Sequence, residues 1–116
     1  MSKATSPNGN RAKIVTLTMN TALDITTSVH RVRPTDELRC QGARHDPGGG
    51  GINVARIARV LGASAAAVFP AGGPTGAVVA DLLVGEGVPF HRVSISGGSS
   101  INSQCLTIAR HLLFTW

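Results

Sequence analysis

Pro47-Gly48-Gly49-Gly50-Gly51-Ile52-Asn53-Val54-Ala55-Arg56 runs four consecutive glycines directly into a helical pattern. Glycine reaches backbone angles closed to other residues and has no side chain to hold a ligand away, so main-chain N–H groups in such a run can approach a polar molecule closely. Beyond it, Val54, Ile57, Ala58 and Leu61 recur at helical spacing, and Gly62 suits the position just past a helix end. The spacing predicts a helix packed through these four residues, its N-terminal N–H groups facing the glycines.

The run is not one of the commoner phosphate loops. A P-loop ends in Gly-Lys-Ser/Thr, and no lysine follows Lys13. The dinucleotide fingerprint has glycine three residues after its second glycine, where this chain has Asn53 after Gly50. Asn53 carries a donor and an acceptor, which suits a polyhydroxy ligand better than a bare anion. A purely structural glycine turn is the alternative. Upstream, Ile14, Val15, Leu17 and Met19 read as a short buried apolar strand that leads into Asp24. An ionised carboxylate is acceptor-only and matches a pair of sugar hydroxyls. A loop aspartate that caps a turn is the alternative there.

Four stretches taken together are more specific. Thr16-Leu17-Thr18-Met19-Asn20 through Leu23-Asp24, then Leu38-Arg39-Cys40, Pro47 through Arg56, and Phe69-Pro70-Ala71-Gly72-Gly73-Pro74-Thr75-Gly76 stand in the order and spacing of one family. In them the chain resembles the PfkB or ribokinase-like carbohydrate kinases, and among these the phosphofructokinase branch. The resemblance covers Lys13 to Val93, the N-terminal portion of a family member. It implies the N-terminal part of a ribokinase-like three-layer α/β/α fold with a small antiparallel β lid over the sugar, which often makes a dimer contact. It also implies ATP-dependent phosphorylation of a sugar phosphate, fructose 6-phosphate to fructose 1,6-bisphosphate, with ATP and Mg²⁺ as family-level cofactors.

At matching positions, Asp24 resembles the aspartate that binds sugar hydroxyls, Gly48 and Gly49 the backbone of the sugar cradle, and Asn53 its side-chain partner. Arg39, and with it Arg44, is a candidate phosphate contact or else a solvated charge. The family's general base and anion hole come from a downstream Gly-Ala-Gly-Asp-type motif. No Gly-x-Gly-Asp occurs in these 116 residues, so no catalytic residue, metal ligand or ATP contact is assigned. Thr21 stands where the family usually has proline, Glu37 where relatives often have a basic residue, and Ser99-Ser100 where they commonly have Thr-Arg, an arginine that would fork onto phosphate. Two functions follow as expectations: a sugar kinase by descent, of which this is the substrate-binding and lid segment, or a non-catalytic fragment that binds sugar or pairs with a full-length relative.

Composition fits a modest aliphatic core, with 42% hydrophobic residues but only 3 Phe and 1 Trp. The net charge of +5 is spread along the chain without interleaved aromatics, which argues against nucleic acid as partner. Cys40 and Cys105 are too few for a disulfide framework or zinc site, and His30, His45, His91 and His111 form no ligand spacing, so reduced thiols in the cytoplasm and no metal are expected. Residues 1–12 read as a polar, mobile leader without a signal-peptide core, and no apolar stretch has the roughly 20 residues that span a bilayer.

The organisation expected from this is a leader (1–12), a substrate-binding and lid segment (13–95) and a divergent tail that reads as truncated (96–116), with Ser94 to Ser100 linker-like. Ile25, Thr27 and Val29, and later Leu38 and Cys40, alternate as in half-exposed antiparallel strands. Ala65 to Phe69 reads as a buried strand and Thr75 to Gly85 as a helix with Val78, Val79, Leu82 and Leu83 inward. Val88 to Ile95 follows as another strand. Such alternation predicts a parallel layer with right-handed crossovers.

Overall fold

The computed structural model describes residues 13–107 and 112–115. The leader at 1–12 and the tail residues 108–111 and 116 lie outside the described residues. The elements run β1 (Lys13–Leu17), β2 (Ala22–Val29), β3 (Gln41–Gly48), α1 (Gly50–Val60), β4 (Ser64–Ala71), α2 (Gly73–Gly85), β5 (Phe90–Ser94), β6 (Ser100–Thr107) and β7 (Leu112–Thr115). They form two sheets, a parallel one in the order β1-β4-β5 and a four-stranded one in the order β3-β2-β6-β7.

In the parallel sheet the chain steps in one direction, from β1 to β4 to β5. Right-handed crossovers taken in one direction bring their helices to the same face. That face is the core: Ala65, Ala67, Phe69 and Ala71 of β4 meet Ile52, Ala55 and Ala58 of α1, and Val79 and Leu83 of α2. Phe69 and Phe90 add a tilted aromatic contact with ring centroids 5.5 Å apart. The opposite face carries no helix among the described residues, so two of the three expected layers are present.

This one-sided covering corrects the expectation for β1, where Ile14 packs partly buried against the core but Val15, Leu17 and Met19 do not. Its period of two turns Thr16 and Thr18 into the core, while Val15 and Leu17 are 73% and 65% exposed and Met19 just beyond the strand is 75% exposed. A second correction concerns α1. The buried residues are Ile52, Ala55 and Ala58, whereas Val54, Ile57 and Leu61 are exposed. The alanines of α1 sit against the alanines of β4, and that close approach needs small residues rather than the larger ones that the periodicity picked out. In α2, Val79 and Leu83 are buried, Leu82 is partly so, and Val78 is exposed.

The second sheet is the lid. β2 and β3 pair antiparallel with a bulge opposite Thr27, and β6 pairs parallel to the other side of β2 from Ala22↔Ser100 to Val29↔Thr107. β7 closes the order antiparallel to β6. The lid is therefore mixed. Leu38 and Cys40 lie outside its strands, β3 begins only at Gln41, and the Ser94–Ser100 stretch leads straight into a strand.

Candidate functional site

The glycine run sits where three segments meet, the end of β1, the end of β3 and the start of α1. Gly49 is the residue before α1, with φ 123°, a conformation that L side chains rarely adopt. A Cβ there would also collide with the Thr18 side chain and lie 3.2 Å from the Asn20 carbonyl oxygen. A Cβ on Gly51 would come 2.6 Å from the Leu17 carbonyl oxygen, so α1 presses its first turn against β1. Gly50 has nothing within 4 Å in that direction and is exposed. Thr18, just past the end of β1, caps the helix: the Ile52 N–H donates to its Oγ1 at 2.8 Å in a buried bond. The Asn53 N–H donates to the Gly49 carbonyl at 2.9 Å, which leaves the first N–H groups of α1 to face outward.

Asp24 lies on β2 in a row across the lid, in register with Asp46 of β3 on one side and Asn102 of β6 on the other. Its carboxylate covers the Cα of Gly48, where a Cβ would clash with the Asp24 carboxylate oxygens. Asn102 Nδ2 donates to Asp24 Oδ1 at 3.1 Å. One oxygen is thus held and the group is steered against the glycine run. Gly48 is glycine because the carboxylate occupies the space of its side chain.

A charged brace stands beside this row. Arg56 of α1 forks onto Glu86, with Nε–Oε2 2.6 Å and Nη2–Oε1 2.7 Å, and reaches Asp46 Oδ1 at 3.4 Å and the Pro47 carbonyl at 3.4 Å. The bidentate hydrogen bond to Glu86, with the charges of Glu86 and Asp46, raises the Arg56 pKa above its usual value. The brace ties the lid, α1 and the turn after α2 together at the mouth of the glycine run.

The structure therefore brings Asp24 and Gly48 into direct contact and sets Gly49 at the helix start. Asn53 is exposed on the first turn of α1, one turn before Arg56, and lines a cavity of about 670 Å³ with Arg56, Ile57, Arg59, Val60, Glu86 and Val88. No hydrogen bond among the described residues joins its side chain to Asp24. Arg39 is exposed in the loop before β3, without an ion pair or hydrogen bond among the described residues. Arg44 is taken by Asp46 at 2.9 Å. Ser99 closes the start of α2, its N–H donating to the Gly72 carbonyl at 3.1 Å and its Oγ accepting from the Gly72 N–H at 3.3 Å. Thr21, in the position where proline is usual, is buried with its hydroxyl unpartnered.

Sequence reasoning missed Thr18, Asn102 and Arg56. The alternation of Thr16 and Thr18 with Val15 and Leu17 was a signal for the first, while the partners of the other two are contacts distant in the chain. Among the described residues no group of three or more His, Cys, Asp and Glu side chains gathers. No helix among the described residues is long and apolar enough to cross a membrane.

Comparison with known proteins finds likeness in both sequence and fold. The profile of the pfkB family carbohydrate kinase matches residues 14–112. The chain is 57% identical over 89 residues to the ATP-dependent 6-phosphofructokinase isozyme 2 of Mycobacterium tuberculosis, covering 77% of this chain and 26% of that protein. It is 49% identical over 81 residues to the Escherichia coli protein of the same name, covering 70% of this chain and 26% of the relative. The phosphofructokinase-2 from Escherichia coli in complex with fructose-6-phosphate superposes with a TM-score of 0.81 at 38% identity, over 91% of this chain and 34% of that one. The chain spans about a quarter of the length of the curated relatives it matches.

Proposed function

The chain belongs to the pfkB family of carbohydrate kinases, and from that premise we propose that it is the sugar-binding and lid segment of an ATP-dependent kinase that converts fructose 6-phosphate to fructose 1,6-bisphosphate. The observation that carries the reading is the Asp24 carboxylate, held on a lid strand by Asn102, packed on Gly48 and set beside the open start of α1. Asn102 occupies one carboxylate oxygen and leaves acceptor capacity for sugar hydroxyls. Gly48 and Gly49 offer backbone without side chains, and the Asn53 amide offers a donor and an acceptor from the first helical turn. Arg39 is the candidate for the sugar's phosphate.

ATP as phosphoryl donor, Mg²⁺ with it, a cytoplasmic setting and pairing of two copies through the lid belong to the same family-level reading. The segment binds and orients the sugar. No residue in it is assigned to take the proton from the attacking hydroxyl or to neutralise the transferred phosphoryl group. The 116-residue chain is therefore expected to show no ADP release above a no-enzyme control, and steady release that Asp24→Ala abolishes would overturn that expectation.

The site is tested by calorimetric titration with fructose 6-phosphate and with fructose. Asp24→Asn keeps the shape but trades a charged acceptor for a donor, a loss of about 1–3 kcal/mol in binding. Preference for the phosphorylated sugar that Arg39→Ala removes would locate the phosphate. Unchanged affinity in Asp24→Asn would refute the sugar site.

A further inference from the structure

Cys40 and Cys105, the 2 cysteines of the chain, stand 65 residues apart in sequence, yet their Sγ atoms lie 3.6 Å apart. Both are free thiols; Cys105 is 1% exposed and Cys40 half-buried. β2 lies between β3 and β6 in the sheet, so the segment before β3 must fold over β2 for the thiols to meet. Cys105 stands in register with Thr27, and strand alternation turns both to the face opposite Asp24 and Asn102. The thiols thus meet at the back of the lid, behind the sugar face, next to the loop that carries Arg39.

We propose that Cys40 and Cys105 are a redox modification site, closed by hydrogen peroxide into an intramolecular disulfide that clasps the loop before β3 onto β6. The half-buried Cys40 is the thiol that peroxide can reach. Its thiolate attacks one peroxide oxygen, the O–O bond breaks, an S–O bond forms, and the second oxygen leaves as water after taking up protons. Cys105 sulfur then attacks the Cys40 sulfenic sulfur. The S–S bond forms, the S–O bond breaks, and a second water carries off the Cys105 proton, so two electrons pass from the two thiols to the peroxide. Burial and the neighbouring Cys40 raise the Cys105 pKa, so less of it is thiolate and the first attack falls to Cys40. A thiol reductant reverses the bond. Closure restrains the Arg39 loop without placing any group in the sugar cradle.

The test uses the whole chain, reduced and then exposed to hydrogen peroxide, with N-ethylmaleimide as quench and mass spectrometry as readout. The expected product is a monomer that takes up no maleimide, lighter by two hydrogens, with the peptides of Cys40 and Cys105 joined. Because the fold holds the thiols together, closure should run at least about tenfold faster in buffer than in concentrated urea. Cys105→Ser should leave a dimedone-reactive sulfenic acid at Cys40, while in Cys40→Ser the remaining thiol should resist both peroxide and maleimide. Two thiols still alkylated after peroxide, disulfides only between chains, or equal rates in buffer and urea would overturn the proposal. Dimedone labelling of Cys105 in Cys40→Ser as fast as that of Cys40 in Cys105→Ser would overturn the order of steps.

Discussion

The helices α1 and α2 both begin at glycine pairs, and a different kind of neighbour meets each beginning. At α2, the segment between β5 and β6 folds back over the start: Ser99 bonds both backbone groups of Gly72, and the Ile95 carbonyl lies 2.5 Å from where a Gly72 Cβ would stand. At α1, Thr18 reaches in to the Ile52 N–H, while among the described residues nothing stands within 4 Å of a Cβ on Gly50, and the Asp24 carboxylate lies over Gly48. Glycines before a helix signal room. The third segment decides whether the chain itself or a ligand fills that room.

Removing the glycine at each start tests this contrast directly. Gly49→Ala forces a Cβ onto a backbone at φ 123° and into Thr18. Strain and overpacking together should destabilise the chain by about 2–5 kcal/mol, read as a lowered urea midpoint. A cost below about 1 kcal/mol would show that the α1 start can rearrange freely. For that reason Gly49 cannot separate a binding defect from a folding defect. Gly72→Ala meets carbonyls without a backbone penalty and should cost about 1–3 kcal/mol, with faster amide exchange at Ser99. Unchanged exchange there would mean that the β5–β6 segment does not close α2.

Next in size is the pair of threonines at the end of β1, Thr16 within the strand and Thr18 just past it. Thr18 and Thr16 are both buried on the core face, but only Thr18 has a partner for its hydroxyl. Thr18→Val strands the Ile52 N–H and should cost about 1–3 kcal/mol, whereas Thr16→Val removes an unpaired buried hydroxyl and should gain about 1 kcal/mol. Equal effects in thermal melts would remove Thr18 from the role of cap.

These residues also show what could be read from the chain alone. The α/β rhythm from β4 to β5 was legible because each element carries its own period and its own punctuation, Gly62 after α1 and Gly72-Gly73-Pro74 before α2. That Asp24 and the glycine run belong to one site was accessible only through the resemblance of their motifs to a family. The inward face of α1 was not, because Val54, Ile57 and Leu61 outweigh Ala55 and Ala58 in hydropathy, and only the alanines of β4 decide in favour of the small residues. Nor could the pattern tell which face of β1 is covered, since that depends on where two crossovers place their helices. β6 was hidden by the glycine and serine that precede it, and its partner β2 stands 78 residues earlier at the Asn102–Asp24 bond.

The smallest expected effect makes the sharpest use of the contrast. Gly50 lies within α1, its φ is not positive, and nothing stands within 4 Å of an added Cβ. Gly50→Ala should therefore stabilise the chain by about 0.5–1 kcal/mol, since alanine loses less backbone entropy than glycine in a helix. The sign is opposite to that of Gly72→Ala, although both changes put one methyl at a glycine that opens a helix. If the open space is where the sugar approaches the first N–H groups, the same variant should bind fructose 6-phosphate more weakly while melting higher. A folding defect cannot mimic that combination. Higher melting with unchanged affinity would confine the sugar to the Asp24 and Gly48 side, and lower melting would show that the space beyond Gly50 is already occupied by the chain.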